Sequence, residues 1–213
     1  VDERIQAHCD PTDTVEIWFD FASNYSHISV MRVEDLAHRC GVTVVWRPFL
    51  LGPIFKEMGW ETSPFVVYES MGRYMWRDME RQCAKYDVPW KKPSVFPRSS
   101  TLPTRIALLG SDEPWIGEFC REVMRMNFLH DLEIDDAVAM QSLLNRLGLA
   151  GEQLIRQAKQ AESKNVLRQQ IERARELGIF GAPTFFRGRE MFWGNDRLDD
   201  AIAFVAQRRA VSE

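Results

Sequence analysis

Apolar residues follow two rhythms along this chain. Val15 to Phe19 (VEIWF) is a short, nearly unbroken apolar run, which predicts a buried strand. From Tyr25 to Cys40 the spacing lengthens. Val30, Val33, Ala37 and Cys40 recur at helical intervals with Leu36 beside them, and Gly41 stands where a helix should end. Val42 to Trp46 (VTVVW) is a second strand-like run, stopped by Pro48. Strand, helix and strand with short connections predict a βαβ unit, two parallel strands joined by a right-handed crossover.

After Leu50 the rhythm is helical for more than a hundred residues, with no convincing strand up to Leu177. Met75, Met79, Cys83 and Tyr86 mark one apolar stripe. Pro103 to Leu109 is a second helix, with proline in its first turn and Gly110 after its end. Further stripes run through Ile116, Phe119, Val123 and Met126, and through Ala137, Met140, Leu144 and Leu147. A short one holds Leu154, Ile155 and Ala158, and a long one holds Leu167, Ile171 and Ala174 and ends at Gly178. Strand character then returns. Thr184–Arg187 (TFFR) and Glu190–Trp193 (EMFW) flank Gly188 and predict a hairpin. Asn195 is placed to cap a last helix carrying Leu198, Ile202 and Val205.

The expected class is α/β: a thioredoxin-like βαβ…ββα four-stranded sheet with a large all-helical insertion. Residues 13–52 and 178–210 would form a discontinuous thioredoxin-like domain, and residues 53–177 a helical insertion domain.

Composition narrows the setting. The chain has 213 residues, 45% of them apolar, enough to bury a sizeable core. A net charge of −4 and the lack of a basic run argue against a nucleic-acid partner. No apolar stretch reaches the ~18 residues of a membrane span. The polar start, VDERIQAHCDPTD, lacks the apolar core of a signal peptide. Cys9, Cys40, Cys83 and Cys120 show no C-x-x-C pair, which reads as free thiols in a reducing, cytoplasmic setting. Three of them fall on predicted apolar stripes and are expected in the core. His8, His27, His38 and His130 are dispersed, so no metal site is expected.

Three local features carry chemistry. The turn after the first strand reads Ser23-Asn24-Tyr25-Ser26, an S-x-x-S at the start of a helix. Unpaired backbone N–H groups and the helix dipole favour an anion there. Ser23 either caps the helix or donates a hydrogen bond to a thiolate arriving from outside. A free thiol has a pKa near ~8.5, and lowering it by two units takes ~2.7 kcal/mol. One charge-assisted hydrogen bond at ~1.5–3 kcal/mol with the dipole at ~0.3–1 suffices. Next, Gly181-Ala182-Pro183-Thr184 opens a strand with proline. A cis bond at Pro183 would leave the Ala182 backbone free to pair with an extended peptide, and a trans bond would make this a plain edge strand. Lastly, Trp193-Gly194-Asn195-Asp196-Arg197 leads from strand to helix. It offers ordinary capping, or an N-terminus for a carboxylate beside Asp196 for an ammonium. A thiolate donor, a peptide-pairing edge and a zwitterion clamp together suit glutathione.

F-D-F-x-S-x-Y-S, G-x-P-T-F at 181–185 and W-G-N-D-R-L at 193–198, with R-P-F-L-L-G at 47–52 and V-F-P-R-S at 95–99, resemble the 2-hydroxychromene-2-carboxylate isomerase family. That family is similar to the kappa-class glutathione transferases and shares the thioredoxin fold. The resemblance spans nearly the whole chain. It implies a glutathione-dependent isomerase interconverting 2-hydroxychromene-2-carboxylate and trans-o-hydroxybenzylidenepyruvate, a step of aromatic catabolism. It implies glutathione as cofactor, a small aromatic-derived substrate, and a fold in which homodimers occur. Carried over by motif, Ser23 matches the serine that contacts the glutathione sulfur. Ala182 matches the residue before the cis-proline, here Pro183, and Trp193, Gly194, Asn195 and Asp196 match the γ-glutamyl-binding segment. The thiolate would add to a conjugated carbon, free a bond to rotate, and leave again. Lys56, Arg98 and Arg105 are candidates to hold the substrate carboxylate, with solvated surface charge as the competing reading. Asn24 stands where the family usually has proline, and His27 where an aromatic is common. The rival activities are a kappa-like transferase, a non-catalytic peptide-binding module, and a dithiol oxidoreductase. The last conflicts with a turn that has no sulfur.

Overall fold

In the computed structural model, residues 13–212 are described, with side chains through residue 207. His8 and Cys9 lie outside the described residues. The sheet forms from β1 (Thr14–Phe19), β2 (Thr43–Pro48), β3 (Thr184–Arg187) and β4 (Glu190–Trp193). Its order is β2-β1-β3-β4, with β1 and β2 parallel and the β1–β3 and β3–β4 pairs antiparallel. Pro48 ends β2, an edge strand, where its missing N–H removes no ladder bond.

Between β1 and β2 runs α1 (Asn24–Arg39). Then follow α2 (Leu51–Glu57), α3 (Pro64–Val67), α4 (Glu69–Tyr86), α5 (Thr101–Leu109), α6 (Ile116–Phe128), α7 (Ala137–Arg146), α8 (Gly151–Lys159) and α9 (Ala161–Glu176). After the hairpin, a 3-10 turn at Asn195–Arg197 enters α10 (Leu198–Ser212). Both α2 and α3 are too short to carry a readable apolar period, and Gly52-Pro53 looks like a turn although it sits in the first turn of α2.

Alternation in β1 sends side chains to two cores. Val15, Ile17 and Phe19 join Val30 and Val33 of α1, Ile106 of α5, Phe119 and Val123 of α6 and Ile202 of α10. On the opposite face Trp18 meets Phe49, Ile54, Ala174, Ile179 and Phe186 under α2 and α9. A third cluster seats Ile28 of α1 against Met75, Met79 and Cys83 of α4. The insertion helices therefore share the sheet's own core, and α2 crosses the boundary expected at residues 52 and 53.

Cys83 and Cys120 are buried, as their stripes predict. Burial pushes the Cys83 thiol up to about 12 and raises that of Cys120. Cys40 differs. The helix stops at Arg39, so the last position of the stripe falls on the exposed C-cap. Among the described residues no helix is long and apolar enough to cross a membrane.

Candidate active site

The site grows from the turn at the end of β1. The Asp20 carboxylate is buried and accepts from the Ala22 N–H (2.9 Å), the Leu51 N–H (2.8 Å) and the Ser100 hydroxyl (2.7 Å). One side chain thus clamps the turn, the start of α2 and the residue before α5. Burial raises its pKa, against the pull of those donors. Asn127 of α6 donates to the Phe21 carbonyl at 2.9 Å and pins the turn from another side.

Ser23 is the N-cap of α1. Its hydroxyl accepts from the Ser26 N–H at 3.2 Å and donates to the Ala182 carbonyl at 3.0 Å. The cap and the bond to the residue before the cis-proline thus fall on one oxygen. The 182–183 peptide is cis, as is that between Phe96 and Pro97. Ala182 lies two residues before the start of β3, and its N–H has no bond among the described residues, while the Pro183 carbonyl accepts from the Gly194 N–H at 3.0 Å. The Ser23 proton is engaged by the Ala182 carbonyl.

Trp193 is 52% exposed and packs edge-on against the exposed Phe180, with centroids 4.7 Å apart. Its indole lies so close to Gly181 that a Cβ there would fall 2.4 Å from Nε1. Gly194 has φ of 109°, and two residues on the exposed Asp196 carboxylate folds back to 2.5 Å from where a Cβ on Gly194 would be. Asn195 departs from its expected role. It is 3% exposed and does not cap: its Oδ1 accepts from the Ser29 hydroxyl (3.0 Å) and from Arg32 Nη1 (3.4 Å), both on α1.

Sequence reasoning passed over several of these residues. Tyr25 donates to Asp78 of α4 at 2.9 Å and stacks edge-on with Phe65. Burial and then that bond raise the Tyr25 pKa, with Asp196 close enough to add to the effect. Ser23, Ser26 and Ser29 recur every third residue on the buried side of α1, a polar stripe where packing alone would want apolar residues. That spacing was the available signal.

The carboxylate-binding candidates separate. Arg98 is 6% exposed and committed inward, a correction to its expected role. It donates to Asn127 Oδ1 (2.9 Å) and to Asp131 Oδ1 (2.5 Å), and its hydrogen bond holds the Asp131 carboxyl well below the usual range. It therefore supports the Phe21 carbonyl through Asn127. Lys56 is exposed near the end of α2. Arg105 is half-buried on α5, with a shielded Nε that has no partner. No contact joins Lys56 or Arg105 to Ser23 among the described residues.

His27, buried in the second turn of α1, sits 5.4 Å from the Phe128 ring with Nε2 3.1 Å from the Pro89 carbonyl. Burial lowers its pKa to about 4 from 6.5. Above pH 6.5 the ring is neutral whether folded or unfolded and costs nothing. As pH falls toward 4 the unfolded chain takes up a proton that the folded chain refuses, and stability drops by about 3 kcal/mol. Denaturant titrations between pH 7 and 4 are expected to show this loss, and His27→Phe, which keeps an aromatic beside Phe128, should flatten it. Equal pH slopes in both proteins would refute the assignment.

A sheet of order β2-β1-β3-β4, with a capping residue at the α1 N-terminus facing the residue before a cis-proline, defines a thioredoxin-class protein. The chain belongs to the DSBA-like thioredoxin domain family, whose model matches residues 14–204. It is 28% identical over 189 residues to a 2-hydroxychromene-2-carboxylate isomerase of Sphingobium xenophagum, covering 88% of this chain and 95% of that protein. It is 23% identical over 198 residues to glutathione S-transferase kappa 1 of Caenorhabditis elegans, covering 86% of this chain and 87% of that protein. Among solved structures, that of a 2-hydroxychromene-2-carboxylate isomerase superposes with a TM-score of 0.82 at 22% identity, over 94% of this chain and 99% of the other. The family thus includes glutathione-related isomerases and transferases as relatives of this chain, which makes an enzyme the expected kind of protein.

Proposed function

We propose that this protein is a glutathione-dependent isomerase that interconverts 2-hydroxychromene-2-carboxylate and trans-o-hydroxybenzylidenepyruvate. The observation that carries the reading is the Ser23 hydroxyl, at a helix N-terminus and 3.0 Å from the Ala182 carbonyl, where a sulfur-free turn can hold a thiolate brought from outside. The relatedness to the Sphingobium isomerase supports the substrate.

The residues present fit glutathione. An unsatisfied Asn195 Nδ2, an unpaired Ala182 N–H and an exposed Asp196 carboxylate offer two donors and one anion along one edge. When bound, glutathione supplies a nucleophilic thiolate that adds reversibly to a conjugated carbon. Ser23 would hold that sulfur as an anion by donating its proton, with the dipole of α1 behind it. Ala182 and Pro183 would seat the peptide, Trp193 and Gly194 would shape its far end, and Asn195 and Asp196 would hold the carboxylate and ammonium of the glutamyl group. Lys56 and Arg105 are the cations left to steer the substrate carboxylate. The protein would work in the cytoplasm, where glutathione is reduced, and a homodimer fits this reading.

The kappa-class relative defines the second reading, a transferase that releases the conjugate. Incubation with glutathione and 2-hydroxychromene-2-carboxylate separates them. Isomerisation leaves the glutathione concentration unchanged. Stoichiometric loss of glutathione with an electrophilic acceptor means transfer, and no turnover of either substrate rejects both.

A further inference from the structure

We propose that Arg32 is a positioning residue that fixes which end of the Asn195 side-chain amide faces a bound carboxylate. The proposal rests on the glutathione reading above and gives a role to Arg32, which no sequence motif brought forward.

The argument starts from donors and acceptors. A hydroxyl can pair with either end of a primary amide, as donor to oxygen or acceptor from NH2, so Ser29 alone leaves the amide free to flip. A guanidinium has donors only. Arg32 Nη1 lies 3.4 Å from the Asn195 amide, and only the oxygen can face it. Nδ2 is thereby turned to the other side, where it is shielded from solvent and has no acceptor among the described residues. A buried, unpartnered donor is costly, and native proteins keep few of them. A carboxylate oxygen is the acceptor that would satisfy it. Trp193 and Asp196, exposed on either side of Asn195 in the chain, are the side chains whose movement would admit one.

Arg32 is held firmly enough to set this direction. Its Nη2 donates to Asp199 Oδ2 at 2.8 Å, and its guanidinium stacks on the Tyr86 ring 3.4 Å from the centroid. Its side chain is 14% exposed. The brace spans three parts of the fold, since Tyr86 ends α4, Asp199 opens α10 and Arg32 rides on α1. A lysine at position 32 could donate to Oδ1 and keep its charge near Asp199 while losing the planar stack.

Calorimetric titration of glutathione into the full chain tests this. Arg32→Met and Asn195→Ala are each expected to weaken binding roughly tenfold, one charge-assisted hydrogen bond's worth. The double variant should be no weaker than Asn195→Ala, because Arg32 acts through that side chain. Arg32→Lys should recover most of the affinity. A glutathione analogue with its glutamyl α-carboxylate converted to an amide should bind wild type and Arg32→Met equally. Losses that multiply in the double variant, or an Arg32→Met deficit that persists with the analogue, would overturn the positioning role and leave glutathione binding intact. Failure of the wild-type chain to bind glutathione at all would reject the cofactor reading, and this proposal with it.

Discussion

Replacing Ser23 with alanine should lower turnover of the glutathione-dependent reaction roughly 10- to 150-fold, the equivalent of one hydrogen bond to a charged sulfur at ~1.5–3 kcal/mol. The same change removes the N-cap of α1, for which about 1 kcal/mol of stability is a fair expectation. The two effects can be separated. A lost cap lowers the denaturation midpoint without changing the pH at which a bound thiol ionises, whereas a lost thiolate donor raises that pH. The thiolate absorbance of bound glutathione, titrated against pH, is therefore the deciding measurement. Unchanged ionisation and unchanged turnover in Ser23→Ala would leave Ser23 a cap and nothing more. Ser23→Cys sharpens the case. A thiol at a helix N-terminus is acidified and accessible to exchange, so this variant should form a mixed disulfide with oxidised glutathione, visible by mass and reversed by reductant.

The second large effect is expected far from solvent. Arg98→Met should destabilise the fold by about 1–3 kcal/mol, because it leaves the buried Asn127 Oδ1 without its donor, while the partly exposed Asp131 keeps Ser94 and Lys91. Asn127 would also lose its anchor, and with it the hold on the Phe21 carbonyl two residues before Ser23. Thermal or denaturant unfolding reads the loss directly. If Arg98 instead held the substrate carboxylate, the variant would unfold like wild type and fail only in KM. That result would return Arg98 to the list with Lys56 and Arg105.

Much of this architecture was legible because local rules and tertiary packing agree. VEIWF became the buried strand its run predicts, VTVVW became a half-exposed edge strand, and each apolar stripe from Met75 to Ala174 became a helix packed on that stripe. TFFR and EMFW around Gly188 became the hairpin they resembled. The cis bond before Thr184 sits where the G-A-P-T motif allowed it. Short elements such as α2 escaped, since seven residues hold too few turns for a period to show. The site was harder to read where its partners are remote. Asn195 has every local mark of a cap, yet its partners Ser29 and Arg32 lie more than 160 positions earlier. Arg98 reads as surface charge until Asp131, 33 positions on, closes over it. Asp20 shows the same limit, since nothing near it in the chain announces Leu51 or Ser100 as donors.

The bond between the Ser23 hydroxyl and the Ala182 carbonyl joins residues 159 positions apart. The pairing of β1 with β3 has a similar reach, and loop-closure entropy makes such contacts slow to form. Helices α4 to α9 close shorter loops among themselves than the one between β1 and β3, so they can assemble before β3 finds β1. The site is thus among the last things the chain completes. In a refolding experiment, glutathione binding should return later than helical circular dichroism, and simultaneous recovery would contradict that order. A partly folded chain would then be helical, compact and unable to take up the thiol, so ligand capture doubles as a clock for the final step of folding.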